Sequence, residues 1–175
     1  MTRNVVEVFY SQDFTFENVI MPNLSNMAML AAYSRNLNFR KIRLEPENGN
    51  LAVGARDGFH LSNNSGSLVF EDSYFKGLRM DPLVIRRTYG IVREILQENK
   101  IIAKPGYTIP VGDKLRFWAG VDPVDIAITS VKNNGDGFYE YGLADSLPPE
   151  VKIGTALNFL TYSLSDALIR NCEFD

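Results

Sequence analysis

The sequence predicts an all-β protein, a segment of right-handed parallel β-helix interrupted by a small inserted β-barrel. Three observations support this prediction. An eight-residue pattern occurs four times without gaps, its copies are spaced like the coils of a solenoid, and a stretch of different texture separates the third copy from the fourth. The 175 residues are enough for one core and a small insert.

The repeated pattern reads apolar, any, apolar, charged, polar or charged, small or branched, any, apolar. Its copies span residues 14–21, 37–44, 68–75 and 167–174. The first three positions alternate as in a strand, the polar pair turns the chain, and the sixth and eighth positions point inward again. We therefore expect Phe14, Leu37, Leu68 and Ala167 to stack as equivalents in parallel strands, about 4.8 Å apart.

The spacing of the copies fits coils of about 23–24 residues. Phe14 and Leu37 are 23 residues apart, and Leu37 and Leu68 are 31 apart, with the excess in a loop rich in Gly, Asn and Pro. The 99 residues between Leu68 and Ala167 correspond to one coil plus an insertion of roughly 75 residues. A second short strand precedes each copy, over residues 5–9, 27–31, 58–61 and 83–85. An ordinary β-sandwich with chance similarity among short strands is the alternative.

Short alternating runs replace the repeat between the third and fourth copies, punctuated by Pro and Gly. These runs cover residues 114–118, 125–131, 138–143 and 155–160. Residues 133–137 have the composition of a hairpin tip, and several short strands at such spacing predict a small barrel. Residues 89–99 fit either a short helix or a strand leading out. We expect β-helix coils over residues 1–95, the barrel over 96–162 and the β-helix again over 163–175.

Composition excludes several classes of function. Hydrophobic residues make up 45% of the chain and charged ones 22%, as in globular proteins. The net charge of −3 argues against nucleic-acid binding, and no run of 18 apolar residues predicts a membrane span. The N-terminus lacks the apolar block of a signal peptide. Cys172 and His60 are each the one residue of their type, so we expect no disulfide, no zinc site and no cofactor.

Two aspartates are the candidate chemical groups. Asp57 and Asp81 are 24 residues apart, which is one coil, so their carboxylates should lie side by side on one face. Two carboxyls flanking a glycosidic bond are what sugar hydrolysis requires, one as acid and one as base. Period two puts Asp57 and His60 on opposite faces unless a kink at Gly58 intervenes. In the alternative interpretation Asp57 and Asp81 are turn residues that bond their own backbone, as Asn26 would be.

The chain also resembles family-110 glycoside hydrolases, which are α-1,3-galactosidases. The resemblance is strongest in Asp57-Gly58-Phe59-His60-Leu61-Ser62, Gly66 and residues 71–78. It extends to residues 14–19, 30–34, 111–117, 157–162 and 169–174. It implies a β-helix with an inserted barrel, an inverting mechanism without metal, a carbohydrate substrate, and a secreted or periplasmic location.

The resemblance carries the family's aspartates over to Asp57 and Asp81, and we expect His60, Arg79 and Arg86 to contact the sugar. This chain departs from the family's His-Asp-Asp-Pro motif, because Arg79 and Met80 stand where that motif has its histidine and first aspartate. We therefore expect weak hydrolysis of α-galactosides.

Two other functions remain open from the residues. One is a non-catalytic β-helix protein that binds carbohydrate or assembles with another chain. The other is a lyase-type solenoid with Arg86 or Arg87 as base and calcium-bound carboxylates. The last copy ends at Phe174, so we expect an exposed apolar end and either a homo-oligomer or further β-helix coils.

Overall fold

The computed structural model describes residues 3–54, 56–104 and 110–175, and these residues form sixteen strands. In chain order they are β1 (Val6–Phe9), β2 (Gln12–Met21), β3 (Met29–Ala32), β4 (Arg35–Leu44), β5 (Phe59–Ser62), β6 (Ser65–Glu71), β7 (Tyr74–Phe75), β8 (Leu83–Arg86), β9 (Gly90–Gln97), β10 (Lys100–Ala103), β11 (Lys114–Trp118), β12 (Val124–Gly135), β13 (Phe138–Leu143), β14 (Ala156–Phe159), β15 (Leu164–Arg170) and β16 (Glu173–Phe174). The described residues contain no helix that is long and apolar enough to cross a membrane.

The chain divides into two compact units. One, here called the parallel unit, comprises residues 1–87 and 162–175, and the other, the barrel unit, comprises residues 88–161. The parallel unit is made of parallel sheets, and the barrel unit is a closed antiparallel barrel of six strands within the described residues. The chain is thus all-β, as the sequence predicts.

The parallel unit contains two ladders of parallel strands. In the first, β1, β3, β5 and β8 lie side by side, with Met29 opposite both Val6 and Phe59. In the second, β4 pairs with β2 on one side and with β6 and β7 on the other. β15 then pairs with β6, and β16 pairs with β7. The register of this ladder aligns Phe14, Leu37, Leu68 and Ala167, so the predicted stacking of the repeat is confirmed.

The fifth position of the repeat is where each copy turns. Asn18, Lys41, Asp72 and Asn171 all have positive φ angles, between 51° and 58°. Asn and Asp tolerate this left-handed conformation better than other residues with a side chain, which explains three of the four. Asn171 also donates a hydrogen bond from Nδ2 to Oδ1 of Asp72, one rung below, at 3.1 Å. The polar pair of the repeat therefore forms the corner, as predicted.

The repeat's inward positions form the core of the parallel unit. Phe39 and Phe70, both fully buried, stack with ring centroids 4.5 Å apart, and Phe59 meets Phe70 edge-on at 5.2 Å. Phe75 completes this group of aromatic side chains, at 5.8 Å from Phe59. Each buried phenylalanine contributes about 1.5–3 kcal/mol through loss of exposed apolar surface. The alternation of the repeat thus becomes one continuous core.

The barrel unit closes in the order β10, β13, β12, β11, β14, β9 and back to β10. Its core is filled from alternate positions of these strands, including Val92, Ile101, Leu115, Phe117 and Tyr141. The tip of the β12–β13 hairpin lies at residues 135–137, as predicted.

The region that the sequence left open between helix and strand is a strand. β9 begins six residues before the predicted start of the barrel at residue 96. Only its first residues alternate between buried and exposed, which explains why its sequence does not resemble a half-buried strand. The assignment of separate domains stays a prediction.

Candidate functional site

Asp57 lies two residues before β5, at a point where the segments that precede β5 and β8 approach closely. The amide of Gly58 donates to the carbonyl of Asp81 at 2.9 Å, and that of Phe59 donates to Pro82 at 2.9 Å. A Cβ atom at Gly58 would come within 2.5 Å of the Pro82 carbonyl oxygen, so only glycine fits here. The Asp57-Gly58 pair therefore lets the backbone before β5 contact the backbone before β8.

The Asp57 side chain is buried and contacts His60. Oδ2 of Asp57 lies 2.8 Å from Nδ1 of His60, and the two side chains are 6% and 15% exposed. The two residues therefore lie on one face, which is the outcome expected if the chain bends at Gly58. The physical reason is that β5 begins at Phe59, so the alternation of the strand does not extend back to Asp57.

The polar atoms of this pair are only partly satisfied. Among the described residues, Oδ1 of Asp57 is buried without a hydrogen-bond partner. An ionised carboxylate can only accept, so with Asp57 ionised the hydrogen lies on Nδ1 of His60. The ring's other nitrogen, Nε2, is then an acceptor. A buried acceptor without a partner is costly and typical of sites that bind a ligand or move a proton.

Asp81 occupies the position equivalent to Asp57 in the next coil. Both precede paired strands by two residues, since Phe59 and Leu83 are partners in the ladder. Asp81 is exposed, however, whereas Asp57 is buried. The two predicted catalytic residues thus have the same place in the repeat and different environments.

Arg79 and Met80 lie in the loop before β8, and both are exposed. The Arg79 amide donates to the carbonyl of Gly54 at 3.4 Å. Within the part of the chain that the structure describes, the Arg79 guanidinium forms no ion pair with Asp81.

Arg86 lies on the outer face of the first ladder. Its partner in the ladder is Ser62, two residues beyond His60 on β5. Its Nε donates to Oγ of Ser62 at 3.0 Å. Phe59 and Leu61 point into the core, so His60 and Ser62, which alternate with them, point away from it. Sequence reasoning missed Ser62, although the repeat register pairs Ser62 with Arg86 and could have identified it.

The structure therefore brings Asp57 and His60 together and places Ser62 and Arg86 beside them, while Arg79 lies in a loop. No group of three or more His, Cys, Asp or Glu side chains that could hold a metal ion occurs in residues 3–54, 56–104 and 110–175.

Comparison with curated proteins identifies a relative. The chain is 28% identical, over 95% of its length, to alpha-1,3-galactosidase B of Bacteroides thetaiotaomicron. The chain is a distant homologue of this galactosidase. It covers 29% of the galactosidase's length, so it corresponds to less than a third of that enzyme. The resemblance to α-1,3-galactosidases seen in the sequence is confirmed at this level, while no family model matches the chain.

Proposed function

We propose that this chain is a glycoside-hydrolase-related module that recognises terminal α-galactosyl carbohydrate at the face formed by Asp57, His60 and Asp81. The homology to a galactosidase over 95% of the chain is the observation that carries this proposal. The Asp57–His60 pair supports it, because it presents a partly satisfied polar group within the segment that most resembles galactosidases. Sugar hydroxyls both donate and accept hydrogen bonds, so they can supply partners to the side chains of Asp57 and His60.

In this proposal the two carboxyls take the acid and base roles of an inverting hydrolase. Asp81, exposed and without an ion pair among the described residues, would accept a proton from water as that water attacks the anomeric carbon. Asp57, buried against His60, would supply a proton to the glycosidic oxygen as its bond to that carbon breaks. Met80 provides no second anion to polarise the water. Turnover is therefore weak and binding persists.

We also propose that the two ladders are two faces of a right-handed parallel β-helix. The barrel unit is then a separate domain inserted into that β-helix. Parallel pairing of strands 23 residues apart in both ladders supports a coil of that length, since Val6 pairs with Met29 and Phe14 with Leu37.

A non-catalytic protein that binds carbohydrate or assembles with another chain is the second candidate. Leu168, Ile169 and Phe174 on β15 and β16 are large apolar side chains left exposed. An apolar strand edge of this kind is suited to pairing with another strand.

The test is binding and turnover of the chain with a matched pair of sugars. Methyl α-galactoside should bind, as measured by calorimetry, and methyl α-glucoside should bind at least tenfold more weakly. Hydrolysis of an aryl α-galactoside should be slow, with the released sugar inverted at the anomeric carbon by NMR. Equal affinity for both methyl glycosides, or affinity for neither, contradicts α-galactosyl recognition and leaves the assembly function.

A further inference from the structure

A cavity of about 280 Å³ opens in the parallel unit beside the candidate site. At the corner after the first ladder, the amide of Ser11 donates to Oγ of Ser34 at 3.1 Å, and the amide of Ser34 donates to Oδ1 of Asn64 at 3.0 Å. Asn64, a member of this polar stack, lines the cavity.

Two adjacent arginines line this cavity, Arg86 and Arg87. Their side chains donate to hydroxyl groups, Arg86 to Ser62 and Arg87 to Ser163. Among the described residues, neither guanidinium forms an ion pair with a carboxylate. Among the described residues four arginines do pair with an acidic side chain, namely Arg40, Arg43, Arg116 and Arg170. Arg79 and Arg93 are also without an ion pair there, but they do not line a cavity with a second arginine.

The charge of the two arginines is therefore uncompensated at a concave surface. Each guanidinium carries five N–H donors in a planar fork and cannot be deprotonated in a protein. The bonds to Ser62 and Ser163 use one donor nitrogen on each. Two such forks lining one cavity offer several donors to an oxyanion, which can accept several hydrogen bonds at once. The remaining walls include the apolar Leu61, Leu68 and Leu164 and the polar Asn64 and Tyr162.

We propose that Arg86 and Arg87 form a subsite for an oxyanion, and that the ligand of this protein is an acidic galactoside carrying a carboxylate or a sulfate ester. This inference rests on the proposed function for the identity of the sugar. Ser62, the partner of Arg86, lies two residues beyond His60 on β5, which is about 7 Å along a strand. The oxyanion subsite and the Asp57–His60 pair thus adjoin and can hold neighbouring parts of one ligand.

The experiment measures the affinity of the chain by calorimetry at low ionic strength for four probes. These are methyl α-galactoside, methyl α-galacturonide, galactose 6-sulfate and inorganic sulfate. We expect at least one of the two acidic sugars to bind tenfold or more tightly than the neutral galactoside. Which of the two binds better distinguishes a carboxylate from a sulfate ester. The preference should shrink as salt is raised, because exposed charges are screened.

Three variants assign the preference to the cavity. The double substitution Arg86→Gln with Arg87→Gln should abolish it, whereas the double substitution to lysine, which keeps the charge, should retain part of it. Arg93→Gln is the matched control, since it removes one exposed arginine of the barrel unit that does not line the cavity, and it should leave the preference intact. A thermal melt of each variant checks that it folds.

The outcomes separate this inference from the proposed function. If neutral and acidic galactosides bind equally, or if Arg93→Gln removes the preference as fully as the glutamine pair does, the oxyanion subsite is wrong and α-galactosyl recognition stands. If inorganic sulfate binds in a manner that depends on Arg86 and Arg87 while no galactoside binds, the subsite stands and the proposed function fails. Binding of none of the four probes overturns both.

Discussion

Asp57 and Asp81 hold equivalent positions before the neighbouring parallel strands β5 and β8, yet the carboxylate of Asp57 is buried against His60 and that of Asp81 is exposed. The difference arises because Asp57 lies in the interior of the first ladder, while Asp81 precedes β8, the last strand of that ladder. Equivalent residues of a repeat therefore acquire different chemistry from their places in the stack.

Substituting each aspartate separates binding from stability. Asp57→Asn should weaken methyl α-galactoside binding about tenfold or more, because a hydrogen bond to a charged group contributes about 1.5–3 kcal/mol. Asp81→Asn should leave the urea midpoint of the chain unchanged, since its carboxylate is exposed. Calorimetry and urea denaturation check the two expectations. Unchanged binding in Asp57→Asn would remove Asp57 from the site.

Restoring the second anion should raise turnover. Met80→Asp combined with Arg79→His replaces an apolar side chain by a carboxylate next to Asp81, which supplies the second anion that helps Asp81 to polarise the attacking water. General-base assistance is worth roughly 10²–10⁴-fold, so release of aryl alcohol should become clearly measurable. The same double substitution in an Asp81→Asn background is the control and should show little gain. A gain that persists in that background would mean that Asp81 is not the base.

The close approach at Gly58 can be tested by stability. Gly58→Ala would place a Cβ atom 2.5 Å from a backbone oxygen and 3.0 Å from Leu78, so the coils must separate slightly. We expect a loss of about 1–3 kcal/mol in the free energy of unfolding. Gly120→Ala is a matched control, because its nearest neighbour lies 3.9 Å away. Equal urea midpoints for the two variants would contradict the contact.

The barrel unit should lose one stabilising contact in acid. Arg116 donates two hydrogen bonds to Asp125, at 2.7 and 2.8 Å, and these lower the pKa of the Asp125 carboxyl below its ordinary value of 3.8. A lowered pKa in the folded state stabilises the protein above pH 4 or so, and this stabilisation disappears as the pH falls through the folded pKa.

The size of this acid effect is that of a partly exposed ion pair, about 0.2–1 kcal/mol. Urea denaturation of the chain and of Asp125→Asn between pH 2 and 7 should give curves that differ at neutral pH and converge in acid. A constant difference across that range is the result that rules out the contribution.

The sequence could predict those parts of the fold that follow from periodicity. The stacking of Phe14, Leu37, Leu68 and Ala167 and the corner at the fifth position both depend on a pattern repeated along the chain. The sequence does not decide between helix and strand for the residues of β9, because the alternation of its first residues does not continue.

Contacts in three dimensions account for what the sequence could not predict at the site. The Asp57–His60 contact depends on where β5 begins, and a difference of two residues decides whether alternation applies to Asp57. The cavity lined by Arg86 and Arg87 brings together residues as distant in sequence as Leu61 and Leu164, and no local pattern reports such a convergence. Registers between strands can be read from a repeat, whereas voids cannot.

The pairing of β9 with β14 has a consequence for the order of folding. Leu157 lies opposite Gly90, so the finished barrel holds its own entrance and exit as neighbours. If the barrel folds first, the segment between Leu68 and its partner Ala167 behaves as a short tether rather than as a free loop of 99 residues. The conformational entropy lost when β15 pairs with β6 is then lower. A barrel that has already folded therefore speeds completion of the sheet.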